Sequence, residues 1–330
     1  MIRKTTTLLL TALTLAYSQS DREAQEEAKK ALTKLEKDYV LLKAGQFEFE
    51  ESFSFTYYSA NQIYLESFAI LDPVFLTLGQ FGIERANRHI FINTFSFRLG
   101  LADFLQVDLS VPLVYRYDRI TRVGSGSRDE TLEGAGVGDI TAGMSIQPIK
   151  ETRSRPAVIL NFGYKSKTGR SPYKIDPQKD VPTGTGYQSV RFSVSTVKSI
   201  DPVVVFTSLG YTYNLTEKVN QTVSTDEGTY TLEKVYPGDT VNLGLGFAYA
   251  LAYNFSINVQ YINNYTLSTY IKRKGEQKQR VPNSTFNSAL LKLGTGWVVS
   301  KSVPLSFSLY VGLTADSPDY MVELRIPFKF

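Results

Sequence analysis

Tyr320-Met-Val-Glu-Leu-Arg-Ile-Pro-Phe-Lys-Phe330 ends the chain, and its reading decides the fold. Successive side chains of an extended strand point to opposite faces. Tyr320, Val322, Leu324, Ile326, Phe328 and Phe330 therefore share one face, and Met321, Glu323, Arg325, Pro327 and Lys329 the other. One face is wholly apolar and the other is charged. Such a strand needs an apolar medium on one side and water on the other.

The same period of two runs through the chain from Phe47 onward. Phe47, Phe49, Phe53, Phe55 and Tyr57 alternate with Glu48, Glu50, Ser52, Ser54 and Thr56. Leu105–Leu113, Val158–Tyr164, Val190–Val194, Val241–Tyr249, Phe255–Tyr261 and Leu305–Leu313 repeat the pattern. A soluble sandwich alternates too, but its strands average about 5–6 residues. These run to roughly ten, the length that a tilted strand needs to cross hydrocarbon. Their second face is small and polar, as a wet lumen requires.

The connections alternate as well. Short links at Leu101–Asp103, Ser199–Pro202, Ala252–Asn254 and Lys301-Ser302 separate long polar ones at Arg119–Gly136, Gly169–Gly184, Thr216–Gly238 and Ser268–Ser284. Short turns on one side and long loops on the other is the arrangement of outer-membrane barrels. Lipid cannot satisfy a bare strand edge, so the sheet must close. The expected fold class is all-β: a transmembrane antiparallel β-barrel of about 12 strands over residues 46–330. The last strand pairs beside Phe47–Tyr57, and both termini face the periplasm of a bacterial outer membrane. Asn61–Gly82 is too apolar for an exposed loop. It folds inward as a constriction, packs at the membrane surface, or extends the first two strands.

Composition agrees. Of 330 residues 42% are hydrophobic, and the mean hydropathy is −0.15. A barrel hides its hydrophobicity in every second residue. No apolar run reaches the roughly 18 residues of a spanning helix. Tyr (21) and Phe (20) far outnumber Trp (1), and tyrosine suits a membrane interface. The net charge of +4 is scattered, which argues against a nucleic-acid partner.

There is no cysteine, and His89 is the single histidine, so thiol chemistry and a histidine-rich metal site are excluded. No serine–histidine–acid set is convincing, and neither an enzyme nor a cofactor is expected. Gly134-Ala-Gly136-Val-Gly138 leads into a strand with no Lys-Ser/Thr after it. It reads as a bend at the barrel mouth rather than a phosphate cradle.

Two segments precede the barrel. Residues 1–18 read as a signal peptide, with Arg3 and Lys4 before the apolar Leu8–Tyr17 and small residues at Ala16-Tyr17-Ser18. Residues 19–45 read as a periplasmic helix. Ala28, Leu32, Leu35, Tyr39 and Leu42 recur at four, three, four and three residues, a heptad seam, and Gly45 ends it. About three heptads are marginal alone in water. The helix then joins other copies, as in a homotrimer, rests on or in the barrel, or is a solvated leader.

Strand parity assigns the lumen. Arg98, Asp108, Arg116, Asp118, Asp139, Lys165, Arg191, Lys292, Glu323 and Arg325 should point inward. An Arg or Lys facing lipid at the midplane costs about 2–4 kcal/mol. They act as a mixed-charge pore wall, or as ion pairs bracing the interior.

The heptad helix, the barrel pattern and the ending Leu313-Thr-Ala-Asp-Ser-Pro-Asp-Tyr320 with Leu324–Phe330 resemble the secretion channels of functional-amyloid (Fap) systems. Val181-Pro-Thr-Gly-Thr-Gly-Tyr187, Ser199-Ile-Asp-Pro202, Leu209-Gly-Tyr-Thr-Tyr213 and Pro237-Gly-Asp239 add to it. Gly136-Val-Gly-Asp139 and Val111-Pro112 are similar to the wider group of transporters named for the meta-pathway of phenol degradation. The resemblance covers about Phe91 to Phe330 and implies export of an amyloid-like polypeptide through a trimeric channel gated from the periplasm. The wider group implies instead a porin-like channel for small apolar or aromatic solutes. Almost nothing separates the helix from the first strand, so a long linker with its own plug has no room.

Overall fold

The computed structural model describes residues 41–61, 83–122, 128–175, 179–200, 202–225, 228–252, 254–300 and 303–330. Residues 1–18, read above as a signal peptide, the expected seam positions Ala28, Leu32, Leu35 and Tyr39, and residues 62–82 lie outside them.

Among the described residues seventeen strands appear in chain order. Thirteen form one antiparallel sheet that closes on itself as a barrel of 12 staves. The staves are β1 (Phe47–Asn61), β2 (Ile83–Ala102), β3 (Leu105–Arg122), β4 (Arg128–Val137) continued by β5 (Thr141–Ile149), and β6 (Ala157–Lys165). Then follow β7 (Ser189–Ile200), β8 (Val203–Asn214), β11 (Thr240–Ala252), β12 (Phe255–Thr266), β15 (Phe286–Ser300), β16 (Val303–Gly312) and β17 (Tyr320–Lys329). Strand β3 pairs first with β5 and then with β4, so those two are segments of one stave. The first and last strands meet from Glu48↔Lys329 to Tyr57↔Tyr320, which leaves no edge.

The outer surface is the belt that alternation requires. Phe53, Phe91, Leu109, Phe162, Phe192, Leu209, Phe247, Leu293, Trp297, Phe307 and Leu324 all stand exposed on it. Aromatic rings line the β17–β1–β2–β3 seam: Phe49 stacks on Phe328 at 6.1 Å, and His89 on Tyr117 at 4.3 Å. His89 is thus an outward member of a ring stack and faces away from the lumen. No helix among the described residues is long and apolar enough to cross a membrane.

Three of the long polar connections carry strands of their own. Arg119–Gly136 is largely strand, because β3 and β4 stay paired out to Arg122↔Arg128. Thr216–Gly238 and Ser268–Ser284 supply β9 (Glu217–Thr225), β10 (Gly228–Tyr236), β13 (Tyr270–Arg273) and β14 (Gln279–Arg280), a separate four-stranded sheet beyond the barrel rim. Polar, β-branched and Tyr-rich runs pair well, and Leu232, Val235, Val219 and Ile271 gather in an apolar cluster.

The inner face is not polar throughout. Ala157, Val197, Val204, Phe206 and Ala248 form an apolar cluster near the short-turn end of β6, β7, β8 and β11. Phe206 is only 2% exposed. Its ring fills the space that a side chain at Gly246 would need, since a Cβ there would come within 2.5 Å of it.

Candidate functional site: the barrel interior

Parity divides the interior into two unlike walls. On β1, β2 and β3 the inward residues are long and charged, and they are packed together. Asp118 is 1% exposed, and it accepts from Arg116 Nη2 at 2.6 Å and Nε at 3.0 Å, with Arg88 Nε at 3.4 Å. Glu48, also 1% exposed, is ion-paired with Arg98. Glu50, Ser96 and Gln106 are buried beside them, with Ser96 Oγ 2.9 Å from Ser110 Oγ. A buried charge is tolerated only when paired and hydrogen-bonded, and this wall is built of such pairs.

On β5–β8, β11 and β12 most of the inward residues that line the cavity are short. Ser145 donates to Asn161 at 2.8 Å, and Asn161 to Ser195 at 3.2 Å. Thr212 donates to Asn242 at 2.9 Å, and Asn242 to Asn264 at 2.8 Å. These ladders lie flat against the sheet and leave a cavity of about 720 Å³ in front of them. The cavity reaches β15–β17, where Tyr310 donates to Glu323 at 2.7 Å and Ser52 to the same carboxylate at 3.2 Å. Arg325 Nε lies 3.6 Å from it, and Lys292 sits over the Tyr310 ring at 5.7 Å.

At the long-loop rim the chain turns in. The connection between β6 and β7 packs on the lumen side of β4, where Val181 is fully buried. A Cβ at Gly134 would lie 2.9 Å from Val181 Cγ2, and one at Gly138 would lie 3.3 Å from the Thr183 carbonyl. The glycine run therefore does more than bend the stave: its bare inner face seats this loop. Asp139 pins the loop by accepting from Gly169 N (3.0 Å), Thr185 N (2.8 Å) and Thr185 Oγ1 (2.7 Å). Lys165 Nζ joins Asp139 at 3.3 Å and the Tyr187 carbonyl at 2.8 Å, and it also bonds Thr185 Oγ1. Tyr173 from the same loop packs on Leu232 and Val235 of the outer sheet.

The proposed pore residues thus fall into three places. Asp108, Lys165, Arg191, Lys292, Glu323 and Arg325 line the cavity. Arg98 and Arg116 are locked in the packed wall, with Asp118. Asp139 holds the rim loop. Glu48, Glu50, Arg88, Ser52 and Tyr310 belong to the interior as well. Glu48 and Glu50 were legible from their alternation with Phe47 and Phe49, and Arg88 from sharing parity with Arg98.

Leu42 corrects the expected helical seam. Residues 41–43 are not helical, and Leu42 is buried with its N–H donating to Gln106 Oε1 at 2.9 Å. Gly100 faces inward there and lies against the Lys43 carbonyl. Leu42 is consequently committed to the barrel interior and cannot serve a trimer interface. Among the described residues no cluster of His, Cys, Asp and Glu could hold a metal ion.

A family model described as "Putative MetA-pathway of phenol degradation" matches residues 87–330. An outer membrane channel from Pseudomonas putida F1 superposes with a TM-score of 0.60 at 13% identity, covering 89% of this chain and 98% of that one. That likeness is one of fold. The translocator domain of the autotransporter NalP from Neisseria meningitidis gives 0.43 at 8% identity, covering 96% of this chain and 97% of that one. The P. putida toluene transporter TodX gives 0.41 at 10%, with coverages of 87% and 88%. Overlaps that loose do not allow residues to be paired.

Proposed function

The chain belongs to the phenol-degradation family whose model spans residues 87–330, and from that premise we propose that it is an outer-membrane channel for small solutes. The class it suits is aromatic molecules that carry a polar group. The observation that carries this reading is the cavity of about 720 Å³ with its serine, threonine and asparagine wall. Small-molecule sites span about 300–1,000 Å³. A hydrocarbon without a polar group would strip water from those hydroxyls and amides and return nothing to them. A hydroxyl or carboxylate replaces the lost hydrogen bonds.

Export of an amyloid-like polypeptide is the weaker reading. It rests on a helical seam of which Leu42 is turned into the barrel, while the rim loop and the ion-packed wall take up part of the lumen. The short turns and the chain ends then belong on the periplasmic side, with the outer sheet outside the cell.

Liposome swelling with purified protein tests the proposal. Amino-acid-sized solutes, a monosaccharide and 4-hydroxybenzoate should enter at rates that fall with size. An unfolded polypeptide should be excluded. Swelling no faster than in protein-free liposomes for every solute would end the channel reading.

A further inference from the structure

Three lysines stand side by side in the outer sheet. Lys218 of β9 is directly opposite Lys234 of β10, and Lys234 is directly opposite Lys272 of β13. Like charges so placed destabilise a sheet. Glu233, at a bulge beside Lys234, is the carboxylate that meets this row, 3.0 Å from Lys272 and 3.9 Å from Lys234. Lys218, exposed at the end of the row, makes no ion pair among the described residues. The next row on the same face is Tyr236, Tyr270 and Arg280. Lys278 Nζ lies over both rings, 4.1 Å from the centre of Tyr236 and 4.6 Å from that of Tyr270. Glu276, in the turn before β14, accepts instead from Gln279 at 3.0 Å. Anions arriving from outside the chain would offset the repulsion that the row carries.

The opposite face fixes where this one looks. Leu232, Val235 and Ile271 turn the other way and pack with Tyr173 of the rim loop. That loop lies on the lumen side of the rim, so the lysine row faces away from the pore. The outer order β14-β13-β10-β9 also follows the barrel order β15-β12-β11-β8. Each outer hairpin therefore continues the wall it grows from, with its lysine face on the lipid side. Two tyrosines there suit the layer between hydrocarbon and water, where a ring is buried and its hydroxyl stays wet. A basic cluster beside a membrane is drawn to anionic headgroups. Lysine meets phosphate as a point charge and needs no fixed fork geometry.

Resting on the reading above that places this sheet outside the cell, we propose that the lysine row docks the phosphorylated saccharide headgroup of an outer-leaflet lipid. Phosphate oxygens bridge Lys218, Lys234 and Lys272 and remove their mutual repulsion. Lys278 and Arg280 add positive charge at the neighbouring row. The bound lipid braces the two hairpins that stand over the open wall.

Native mass spectrometry of the detergent-solubilised full chain, titrated with lipid A and with lipid A stripped of its phosphates, tests this. The wild type should hold the phosphorylated form at least about tenfold more tightly. Lys218→Gln, Lys234→Gln and Lys272→Gln together should remove that preference. Lys150→Gln, Arg153→Gln and Arg155→Gln together take the same charge from exposed residues between β5 and β6, at the other end of the barrel, and should leave it intact. Folded-barrel mobility in unheated gels shows that each variant has folded. If the first triple variant does not fold, Lys218→Gln alone, at an exposed position, should still weaken lipid A binding. Equal affinity for the two lipids, equal loss in the two triple variants, or displacement by inorganic phosphate at matched concentration would overturn the docking site. The side of the membrane is read separately. The chain has no cysteine, so Gln277→Cys should react with an impermeant maleimide on intact cells. Labelling without a lipid preference defeats the docking site alone, whereas absence of labelling overturns both it and the orientation on which it rests. Liposome swelling judges the channel independently of either result.

Discussion

Two walls of one barrel obey the same alternation and do opposite things. The β1–β3 wall turns Glu48, Arg88, Arg98, Arg116 and Asp118 inward and fills its half of the lumen with ion pairs. The β5–β12 wall turns Ser145, Asn161, Ser195, Thr212, Asn242 and Asn264 inward and leaves its half open. Both read simply as polar. What separates them is side-chain length and the way charge is satisfied. A long Arg projects into the lumen as it pairs with a carboxylate on its own or the next strand, whereas a serine or asparagine bonded to its neighbour stays against the sheet. Polarity makes a barrel interior compatible with water; side-chain length decides whether any water-sized space remains.

The strongest way to break that comparison is Asp118→Ala. It leaves Arg88 and Arg116 buried without their shared carboxylate, and losing one partner of a buried pair costs about 3–5 kcal/mol. Ser195→Ala on the open wall should cost within about 1.5 kcal/mol, the scale of one neutral hydrogen bond. Urea unfolding in lipid vesicles, followed by the mobility shift between folded and unfolded barrel, measures both. Similar losses for the two variants would mean that the packed wall is not held by its charges.

Much of this was legible in the chain. The closing pair Phe47–Tyr57 with Tyr320–Lys329 follows from alternation alone, because a one-residue slip would turn Glu323 and Arg325 into lipid. Other parts left no readable signal. Val203-Val204-Val205-Phe206 has no polar alternation, so nothing marks Phe206 as inward. The rim loop did leave a trace: Gly134, Gly136 and Gly138 share one parity and form a bare strip. A strip without side chains can mean a bend or a seat, and only the position of Val181 decides. Leu42 was ambiguous for a related reason, since a heptad seam and a buried contact both ask for leucine. The division of labour among the inward charges was invisible too, because parity reports facing and not reach.

The rim loop offers the next test, at the boundary between the walls. Asp139→Ala removes the acceptor for two backbone N–H groups and one hydroxyl, and leaves Lys165 without its carboxylate. Hydrogen bonds to a charged group are each worth about 1.5–3 kcal/mol. The loop should lift from β4, and single-channel current should become larger and noisier. Gly134→Leu should do the same by sterics alone, since its side chain would displace Val181. If neither variant alters the current, the loop does not narrow the mouth, and the open wall alone sets conductance.

The smallest effect belongs to a charge pair outside the barrel, and it asks whether burial is what gives the packed wall its strength. Lys272 Nζ lies 3.0 Å from Glu233 Oε2 in the outer sheet, and this hydrogen bond holds the Glu233 carboxyl below its ordinary value. A depressed carboxyl contributes stability that is present above its unfolded pKa and is lost as pH falls through the lower folded value. Amide exchange in β10 and β13 should therefore quicken modestly in acid, and Glu233→Gln should remove that dependence. Water and salt screen such a pair, so its loss should fall far below that of Asp118→Ala. Comparable losses from this half-exposed pair and the buried one would show that pairing counts wherever it occurs. The expected disparity would assign the strength of the filled wall to desolvation of its charges, which leave an uncompensated ion behind when one partner is removed.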